Sequence, residues 1–526
     1  MSDETATIDR LVRERATRHP DAPMVIDPHS RITYGELDII TRDLAAALIA
    51  ADCGKGTRVG LLMPNGTDWV RIAIAVTRIG AVLVPLSTLL RPPELRAQLR
   101  VASVQFLIAA EEFRGRRHLD DLGLTDTDAL FDPELPALRH VRTADNLLAA
   151  HTPAEAPVDA LAATVTAADP LTVMFTSGSR GLPKGVLHSH GNVLRAVRSG
   201  LTSRRIDADT RLYLPMPLFW VGGFGGMLSA MVAGGALVTE AVPDPATTLE
   251  LLRRERVTLF RGWADQAESL ARQAKTLGVT VPSLRPGSLE AMLPESLRAQ
   301  PGARANLFGM TESFGPYCGY PADTDMPRSA WGSCGRPFPG MQVRIADPET
   351  GQPVPPGTVG IIQLRGPHTL RGMCRRARED LFTADGYYPT GDLAHLDDDG
   401  FLFYHGRADD MVRVSGASVY PAEVERALRG LVGVGTAFVT DVPGPQGNRV
   451  AAAVVCDTTA TTADRLRSAA REVLSSFKVP TVWLLLDSDD RIPRGSTGKV
   501  DISGLRALFA TEAGHDSVQP PAVISK

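Results

Sequence analysis

Short apolar runs alternate with amphipathic stretches between residues 58 and 110, and this alternation restricts the possible fold more than any other feature of the sequence. The runs "RVGLLMP", "AVLVPL" and "SVQFLIAA" are typical of buried strands, whereas "DWVRIAIAVTRIG" and the segment around Glu94 are typical of helices. Strands and helices that alternate in this way form largely parallel sheets covered by helices. A capping-box pattern at Thr33 and Glu36 predicts the start of a further helix. We therefore expect an α/β fold.

The last quarter of the chain is organised differently. "DLAHL" and "FLFYH" flank an acidic-glycine turn at 397–400, which predicts a hairpin. The charged segment "GRADDMVRVSG" then leads into a small α+β set of helices and strands. A chain of 526 residues is expected to hold more than one domain. We expect a large N-terminal domain of layered sheets and helices (1–408), a small α+β C-terminal domain (409–510) and a loose tail (511–526).

Composition excludes several classes of protein. The net charge is −4 without a basic patch, which argues against binding to nucleic acid or to a membrane surface. The longest apolar stretch is interrupted by Arg78 and Gly80 and is shorter than the roughly 20 residues of a spanning helix. The acidic start is not a secretory signal, and the five cysteines lie far apart, so free thiols are expected rather than disulfides or zinc. We expect a cytoplasmic protein, and the sequence gives no prediction of its oligomeric state.

The segment "TVMFTSGSRGLPKGVLHSH", residues 172–190, is the first candidate for chemistry. Glycines in such a loop let backbone N–H groups turn towards a phosphate, and the hydroxyls and cations add further donors. The loop is not a Walker A motif, because Pro183 precedes Lys184 and Gly185 follows it. This segment alone is compatible both with a phosphate-binding loop and with an ordinary surface loop that carries a solvated lysine.

Further motifs decide between these alternatives. "FTSGSRGLPKG" resembles the phosphate loop of the adenylate-forming enzymes, the superfamily of acyl-CoA synthetases, luciferases and peptide-synthetase adenylation domains. "PLFWVGG", "FGMTES", "YPTGD", "GRADDMVRVSGASVYPAEVE" and "RIPRGSTGKVD" follow in the order typical of that superfamily, and the resemblance spans residues 30–505. Within the superfamily the chain most resembles an acyl-CoA synthetase, and a peptide-synthetase module is less expected, because no carrier domain is recognised in the given sequence.

The resemblance implies a two-step reaction. A carboxylic acid attacks ATP in the presence of Mg²⁺ to give an acyl-AMP and pyrophosphate, and the acyl group then passes to the thiol of coenzyme A. One alternative is that the thiol belongs to a carrier protein that acts in trans. The other is a degenerate relative that binds an acyl ligand or a nucleotide without turnover. No nucleic acid or integral membrane partner is expected.

The resemblance also implies roles for individual residues of the nucleotide site. Thr311 bonds a phosphate oxygen, Glu312 binds Mg²⁺ with Thr176 beside it, and Asp392 accepts hydrogen bonds from the ribose. Arg407 contacts ribose and phosphate, Asn306 reads the adenine amino group and Phe308 stacks on the base. The β- and γ-phosphates are held by the loop residues Thr176, Ser177, Gly178, Ser179, Arg180, Gly181 and Lys184.

The small domain is expected to carry the catalytic lysine, Lys499, which by resemblance bridges the acyl carboxylate and the α-phosphate. An ammonium group there can neutralise both developing charges. After adenylation the domain swings about a hinge at Asp409, since hinges are a few residues that absorb large dihedral changes. The swing brings Gly416 to the site, where the missing side chain opens a tunnel for the pantetheine arm of coenzyme A.

The acyl pocket and the adenine wall depart from the family's pattern. Trp220 stands where a histidine or another aromatic residue is usual, and the glycine-rich "VGGFGGM" after it is expected to leave room for a bulky chain or ring. Gly222 and Gly315 are further candidates for the acyl pocket. The residues at 290–292, "EAM", replace the usual glycine-rich turn along the adenine. A fatty acid, an aromatic acid and a polycyclic or terpenoid acid all remain open as substrates. His188 and His190 lie at the expected start of the helix after the phosphate loop, and we expect them to be structural or capping residues.

Overall fold

The computed structural model describes residues 6–128, 130–149, 157–176, 183–408, 412–414, 417–444, 448–495 and 500–512. The helices are α1 (Ile8–Arg18), α2 (Tyr34–Ala50), α3 (Thr67–Arg78), α4 (Pro92–Val101), α5 (His118–Leu122), α6 (Ala144–Leu148), α7 (Val158–Ala163), α8 (His190–Ser199), α9 (Leu201–Arg204), α10 (Val221–Ala233), α11 (Pro245–Arg254), α12 (Ala264–Leu277), α13 (Pro421–Arg429), α14 (Ala463–Val473) and α15 (Ile502–Glu512).

The strands are β1 (Pro23–Ile26), β2 (Arg31–Thr33), β3 (Arg58–Leu62), β4 (Val82–Pro85), β5 (Phe106–Ala109), β6 (His140–Thr143), β7 (Pro170–Thr176), β8 (Lys184–Ser189), β9 (Arg211–Tyr213), β10 (Ala236–Val238), β11 (Leu259–Phe260), β12 (Phe308–Met310), β13 (Gly315–Gly319), β14 (Arg336–Pro337), β15 (Gln342–Ala346), β16 (Gly360–Arg365), β17 (Gly372–Met373), β18 (Tyr388–Leu396), β19 (Leu402–Arg407), β20 (Val412–Val414), β21 (Ala417–Val419), β22 (Val434–Val442), β23 (Arg449–Cys456) and β24 (Val482–Leu486).

The chain divides into two compact units. The first comprises Met1–Val343, Leu364–Pro389 and Asp399–Leu402, and the second comprises Arg344–Gln363, Thr390–Asp398 and Phe403–Lys526. The hinge expected at Asp409 lies outside the described residues, and the domain limits taken from the sequence stay a prediction.

A seven-stranded sheet, in the order β17-β8-β7-β4-β3-β5-β6, dominates the first unit. Its strands β6, β5, β3, β4 and β7 run parallel, whereas at one edge β8 is antiparallel to β7 and β17 is antiparallel to β8. The parallel part corresponds to the alternating segments recognised in the sequence, so the predicted α/β class is confirmed. The antiparallel edge matters for function, because the loop between β7 and β8 is the candidate phosphate loop.

Local sequence signals account for the helices that cover this sheet. The capping box predicted for α2 is present, since Thr33 Oγ1 accepts from Glu36 N and the Glu36 carboxylate accepts from Thr33 N. Helix α3 ends at Arg78, which is fully buried and pairs with Asp9 at 2.7 Å and with Asp38 at 2.8 Å. Removing one partner from such a buried pair costs about 3–5 kcal/mol, so this contact fixes α1, α2 and α3 against one another.

Two smaller sheets of the first unit position the candidate site. In the five-stranded sheet, β11, β9, β10 and β1 are parallel, and the chain leaves β9 and β11 towards Trp220 and Trp263. In the three-stranded sheet, β12 and β13 form an antiparallel pair joined by a single 3₁₀ turn at Thr311–Ser313. Ligands of parallel sheets bind beyond the carboxyl ends of the strands, and Trp220 and Trp263 follow such ends of β9 and β11.

The second unit holds most residues of a four-stranded sheet, ordered β15-β16-β18-β19, and a three-stranded sheet, ordered β22-β23-β24. The hairpin predicted around 397–400 is formed by β18 and β19, with Gly400 at φ +77° in the turn. Strands β22 and β23 pair antiparallel, β24 joins parallel to β23, and Val424 of α13 and Leu466 of α14 pack into the same core. Within the described residues, no helix combines the length and the apolar character needed to span a membrane.

Candidate active site

The two strands that flank the candidate phosphate loop are well defined. Strand β7 ends at Thr176 and β8 begins at Lys184, and these two residues face each other across the antiparallel ladder. Thr176 is half-buried, whereas the Lys184 side chain is exposed at the mouth of the hairpin. The loop residues Ser177, Gly178, Ser179, Arg180 and Gly181 lie outside the described residues, so their phosphate contacts stay a prediction.

The turn at Thr311–Ser313 is held by hydrogen bonds from several elements. His188 Nε2 on β8 donates to Thr311 O at 2.8 Å, and Leu370 N donates to Glu312 O at 2.8 Å. Ser313 Oγ donates to Gly315 O at 2.7 Å. Backbone contacts of this kind fix a turn without occupying the side chains that project from it. The hydroxyl of Thr311 and the carboxylate of Glu312 are therefore presented from a rigid base.

The Glu312 carboxylate lies in a mostly buried position, with 8% of the residue exposed. Tyr388 Oη donates to its Oε1 at 3.3 Å, and Tyr388 itself is 9% exposed. Burial of a carboxylate is costly unless it is hydrogen-bonded or meets a cation. A hydroxyl and a carboxylate side by side are hard oxygen donors, and this donor set fits Mg²⁺.

The backbone around this turn leaves little room for larger residues. A Cβ atom on Gly309 would lie 2.2 Å from Gly315 O, because β12 and β13 approach each other closely there. Phe314 adopts φ +49°, in the left-handed region, and Gly315 adopts φ +102°. The turn is therefore specified by its backbone as well as by its side chains. Gly315, expected at the acyl pocket, is buried directly beyond the turn.

The residues predicted to bind adenine lie on or next to β12. Asn306 is exposed, and its backbone N donates to Ser333 O at 3.2 Å. Phe308 begins β12 and meets Tyr317 edge to face, with ring centroids 5.7 Å apart. The unusual segment Glu290–Met292 forms a 3₁₀ turn, and Glu290 Oε2 accepts from Ala299 N at 3.0 Å. An ordered turn thus stands where the usual glycine-rich segment is missing.

The residues predicted to bind ribose belong to the second unit. Asp392 on β18 is buried, and Arg407 at the end of β19 donates from Nη1 to Asp392 Oδ1 at 3.2 Å and to Thr390 O at 3.0 Å. Gly391 adopts φ +76°, and a Cβ atom there would lie 3.0 Å from Arg407 Nη2. Gly391 therefore leaves room for the Arg407 guanidinium beside the strand. The structure brings together Asp392 and Arg407, which belong to separate motifs of the sequence.

Three aromatic rings cluster where the acyl pocket is predicted. Trp220 packs edge to face against Phe219 at 5.5 Å and against Trp263 at 5.6 Å between ring centroids. Trp220 precedes α10 and Trp263 precedes α12, and neither side chain makes a capping hydrogen bond. The glycine-rich segment forms the first turns of α10 and is largely buried, except that Gly222 is exposed beside Met216.

Helix α10 connects the aromatic cluster to the turn. Phe224 meets Phe314 edge to face at 5.8 Å, and Phe314 directly follows the turn that carries Glu312. Phe224 lies about one helical turn, roughly 6 Å, beyond Trp220, the N-cap of α10. Helix α10 therefore joins the aromatic cluster to the turn that carries Glu312 through a chain of ring contacts.

Sequence reasoning missed two of these residues. Tyr388 begins the recognised segment "YPTGD", but no motif assigned it to Glu312, which is 76 positions away. Trp263 had no motif, although the chain contains only five tryptophans and this one follows a glycine after an apolar strand. Lys499, Asp409 and Gly416 lie outside the described residues, and their roles stay predictions.

Comparison with known proteins identifies the superfamily. The sequence matches the family described as AMP-binding enzyme over residues 12–373, which include the phosphate loop and the Thr311–Ser313 turn. The chain belongs to the AMP-binding enzyme family. This AMP-binding enzyme is 32% identical to 3-[(3aS,4S,7aS)-7a-methyl-1,5-dioxo-octahydro-1H-inden-4-yl]propanoyl:CoA ligase of Mycobacterium tuberculosis, over 96% of this chain and 98% of the relative.

Two further comparisons agree with this assignment. The AMP-binding enzyme is 31% identical to feruloyl-CoA synthase of an Amycolatopsis species, over 94% of this chain and 97% of the relative. Its fold superposes on the anthranilate CoA ligase AuaEII in complex with anthranoyl-AMP, with a TM-score of 0.81 at 21% identity, over 97% of this chain and 98% of the other. The predicted class, an ATP- and Mg²⁺-dependent acid–thiol ligase that forms acyl-CoA through an acyl adenylate, is confirmed.

Proposed function

We propose that this acyl-CoA synthetase activates a ring-bearing carboxylic acid, aromatic or fused-ring, rather than a straight-chain fatty acid. The observation that carries the proposal is the edge-to-face pair of Trp220 and Trp263, 5.6 Å apart, at the start of α10 and α12. Indole rings bind other rings through offset and edge-to-face contacts, each worth about 0.5–1.5 kcal/mol beyond the burial of area. The names of the two relatives above, which refer to a fused-ring propanoyl and to a feruloyl acid, support the same class.

The turn at Thr311–Ser313 is the proposed site of adenylation. Two anions, the carboxylate of the acid and the α-phosphate of ATP, must approach in line, so the site has to cancel charge and fix geometry. Thr311 and Glu312 supply hard oxygen donors from a rigid backbone, and Mg²⁺ held there would neutralise phosphate charge. Lys184 and the loop residues before it are proposed to hold the β- and γ-phosphates, and Lys499 to bridge the acid and the α-phosphate.

The remaining roles are proposed on the family motifs, supported for Phe308, Asp392 and Arg407 by contacts inside each unit. Phe308 and Asn306 are proposed to bind adenine, and Asp392, oriented by Arg407, to bind ribose. Asp409 is proposed as the hinge and Gly416 as part of the pantetheine tunnel. A carrier-protein thiol stays the alternative acceptor, and a cytoplasmic location stays a prediction from the sequence.

A panel of acids in an ATP–pyrophosphate exchange assay tests the substrate class. We expect exchange with cinnamic, benzoic or fused-ring propanoic acids and KM values for saturated fatty acids that are at least tenfold higher. Exchange that is as efficient with a C12–C16 fatty acid as with any ring acid would contradict the proposal. No exchange with any acid would instead favour a binding protein without turnover.

The Trp220→Ala variant tests the aromatic cluster directly. We expect KM for a ring acid to rise about tenfold, which corresponds to 1.4 kcal/mol, while KM for ATP stays within about twofold. Trp331→Ala is the matched control, because Trp331 is a tryptophan of the same unit whose indole contacts Arg328 and Met326. Equal KM values for ring acids in the two variants would show that Trp220 does not contact the acid.

The acceptor is identified by the product. We expect acyl-CoA to form when coenzyme A is added to the exchange mixture. We expect a phosphopantetheinylated carrier protein to be loaded more slowly. Faster loading of the carrier protein than formation of acyl-CoA would assign the carrier as the acceptor.

A further inference from the structure

His188 stands at the junction of the phosphate-loop hairpin and the Thr311–Ser313 turn. It lies on β8, fully buried, and its Nε2 donates to Thr311 O at 2.8 Å. Asn192 Nδ2, on the first turn of α8, donates to His188 Nδ1 at 2.8 Å. The His188 ring also packs edge to face against Phe314, with 5.2 Å between the ring centroids. Every polar atom of the imidazole is thus used, and one of them holds the backbone of the turn.

The protonation state of this imidazole follows from its neighbours. Ser189 N donates to Asn192 Oδ1 at 2.6 Å, so the Asn192 amide must present its N–H₂ group to His188. A neighbour that donates to Nδ1 requires the proton of the neutral ring to sit on Nε2, which then donates to Thr311 O. Because Nδ1 accepts this hydrogen bond it carries no proton, so the ring is the neutral tautomer with its proton on Nε2.

The same strand carries the loop lysine and this histidine. Strand β8 begins at Lys184, and four residues of extended chain span about 13 Å between Lys184 and His188. The bond from His188 to Thr311 O therefore links the position of the hairpin to the position of the turn. If Lys184 contacts phosphates and Glu312 contacts Mg²⁺, the distance between the Lys184 and Glu312 side chains is set through His188.

We propose that His188 is a positioning residue for adenylation, which fixes Thr311 and Glu312 relative to the phosphate-loop hairpin through its Nε2–H. It contacts neither substrate nor metal and acts only through the backbone of the turn. The proposal rests on the roles proposed above for Thr311 and Glu312. Loss of the bond should misplace the groups that bind MgATP much more than the indoles of Trp220 and Trp263, which the His188 ring reaches only indirectly, through Phe314 and Phe224.

The test compares substitutions at His188 with the same substitutions at His190. His190 is the matched control, because it is also fully buried and has a pKa lowered to about 4, but its Nδ1 accepts from Ile8 N of α1 and not from the turn. His188→Leu and His190→Leu both remove a buried imidazole. His188→Gln keeps a side-chain amide that can donate to Thr311 O, and His190→Gln is its counterpart.

Steady-state ATP–pyrophosphate exchange, corrected for the folded fraction, gives the readout. We expect His188→Leu to raise KM for MgATP at least tenfold and to lower kcat, while KM for the acid changes less than twofold. We expect His188→Gln to restore KM for MgATP to within about threefold of the wild type. Both His190 variants should keep KM for MgATP within about twofold, although they lose stability.

Equal effects on KM for MgATP in the two leucine variants would overturn the proposal, because a general packing defect would then explain them. If His188→Leu does not fold, His188→Phe retains the volume of the ring and removes the donor, and the same increase in KM is expected. The Glu312→Gln variant distinguishes failure of the proposed site from failure of the positioning role of His188. Full exchange activity in Glu312→Gln would refute the proposed site, whereas loss of activity there with normal KM in the His188 variants would refute only the positioning role.

Discussion

Buried neutral histidines make the first unit sensitive to acid, and the size of the effect can be worked out for His190. Burial is the main reason that the pKa of His190 is lowered to about 4, and the Lys55 ammonium acts in the same direction while Asp169 opposes it. A histidine in the unfolded chain keeps a pKa of about 6.5. Between these two values the unfolded chain binds more protons than the folded one, so the free energy of unfolding decreases as the pH falls.

The magnitude follows from the two pKa values. The contribution of His190 is complete above pH 6.5 and is lost as the pH falls through the window between 6.5 and 4. At pH 4.5 the loss amounts to about 2.5 kcal/mol for one histidine. His188 and His368, whose pKa values are also lowered to about 4 mainly by burial, contribute in the same direction.

Urea unfolding of the wild type and of His190→Gln at pH 7.5, 6.0, 5.0 and 4.5 measures this contribution. Tryptophan fluorescence is a suitable signal, because Trp69, Trp220, Trp263 and Trp331 lie in the first unit. We expect the variant to be less stable at pH 7.5 and to lose about 2.5 kcal/mol less than the wild type between pH 7.5 and 4.5. Parallel stability curves over this range would refute the reasoning, since they would show that His190 does not resist protonation.

Three further predictions concern the site. Lys499→Ala should slow acyl-AMP formation about 100- to 1000-fold, while thioester formation from supplied acyl-AMP persists, which single-turnover assays of the two steps would check. Tyr388→Phe removes a hydrogen bond to Glu312 and should raise the Mg²⁺ concentration for half-maximal exchange several-fold; an unchanged Mg²⁺ titration would exclude a role for that contact. Gly309→Ala places a Cβ atom 2.2 Å from Gly315 O and should lower the thermal midpoint and abolish exchange, and retention of both would show that β12 and β13 can separate.

Much of the fold could be predicted from the sequence, because it depends on local periodicity. The strands around Val59 and Phe106 and the helix that begins after Thr33 were recognised from apolar runs and one capping box, and all are present. Such signals lie within a few residues of the element they predict. The site motifs were recognised in the same way, as short contiguous strings.

The contacts that organise the site could not be predicted, because they join distant residues without a periodic pattern. His188 and Thr311 are 123 positions apart, and the histidine acts on a backbone carbonyl, which leaves no complementary side chain to recognise. His188 was expected near the start of a helix, but β8 continues to Ser189 and α8 starts at His190. The ring therefore projects from a strand, and only the registry of β8 with β7 and β17 determines what it faces.

The positions of Trp220 and Trp263 have a consequence for how this enzyme can diversify. Each indole occupies the N-cap of a helix without serving as a cap, so the helix does not depend on it for a hydrogen bond. Serine, threonine, aspartate or asparagine at an N-cap stabilises a helix by about 1 kcal/mol relative to residues that cannot cap. A mutation from tryptophan to serine would open space beside α10 or α12, while the new N-cap would offset part of the packing energy lost with the indole, so such changes cost less here than at other aromatic positions.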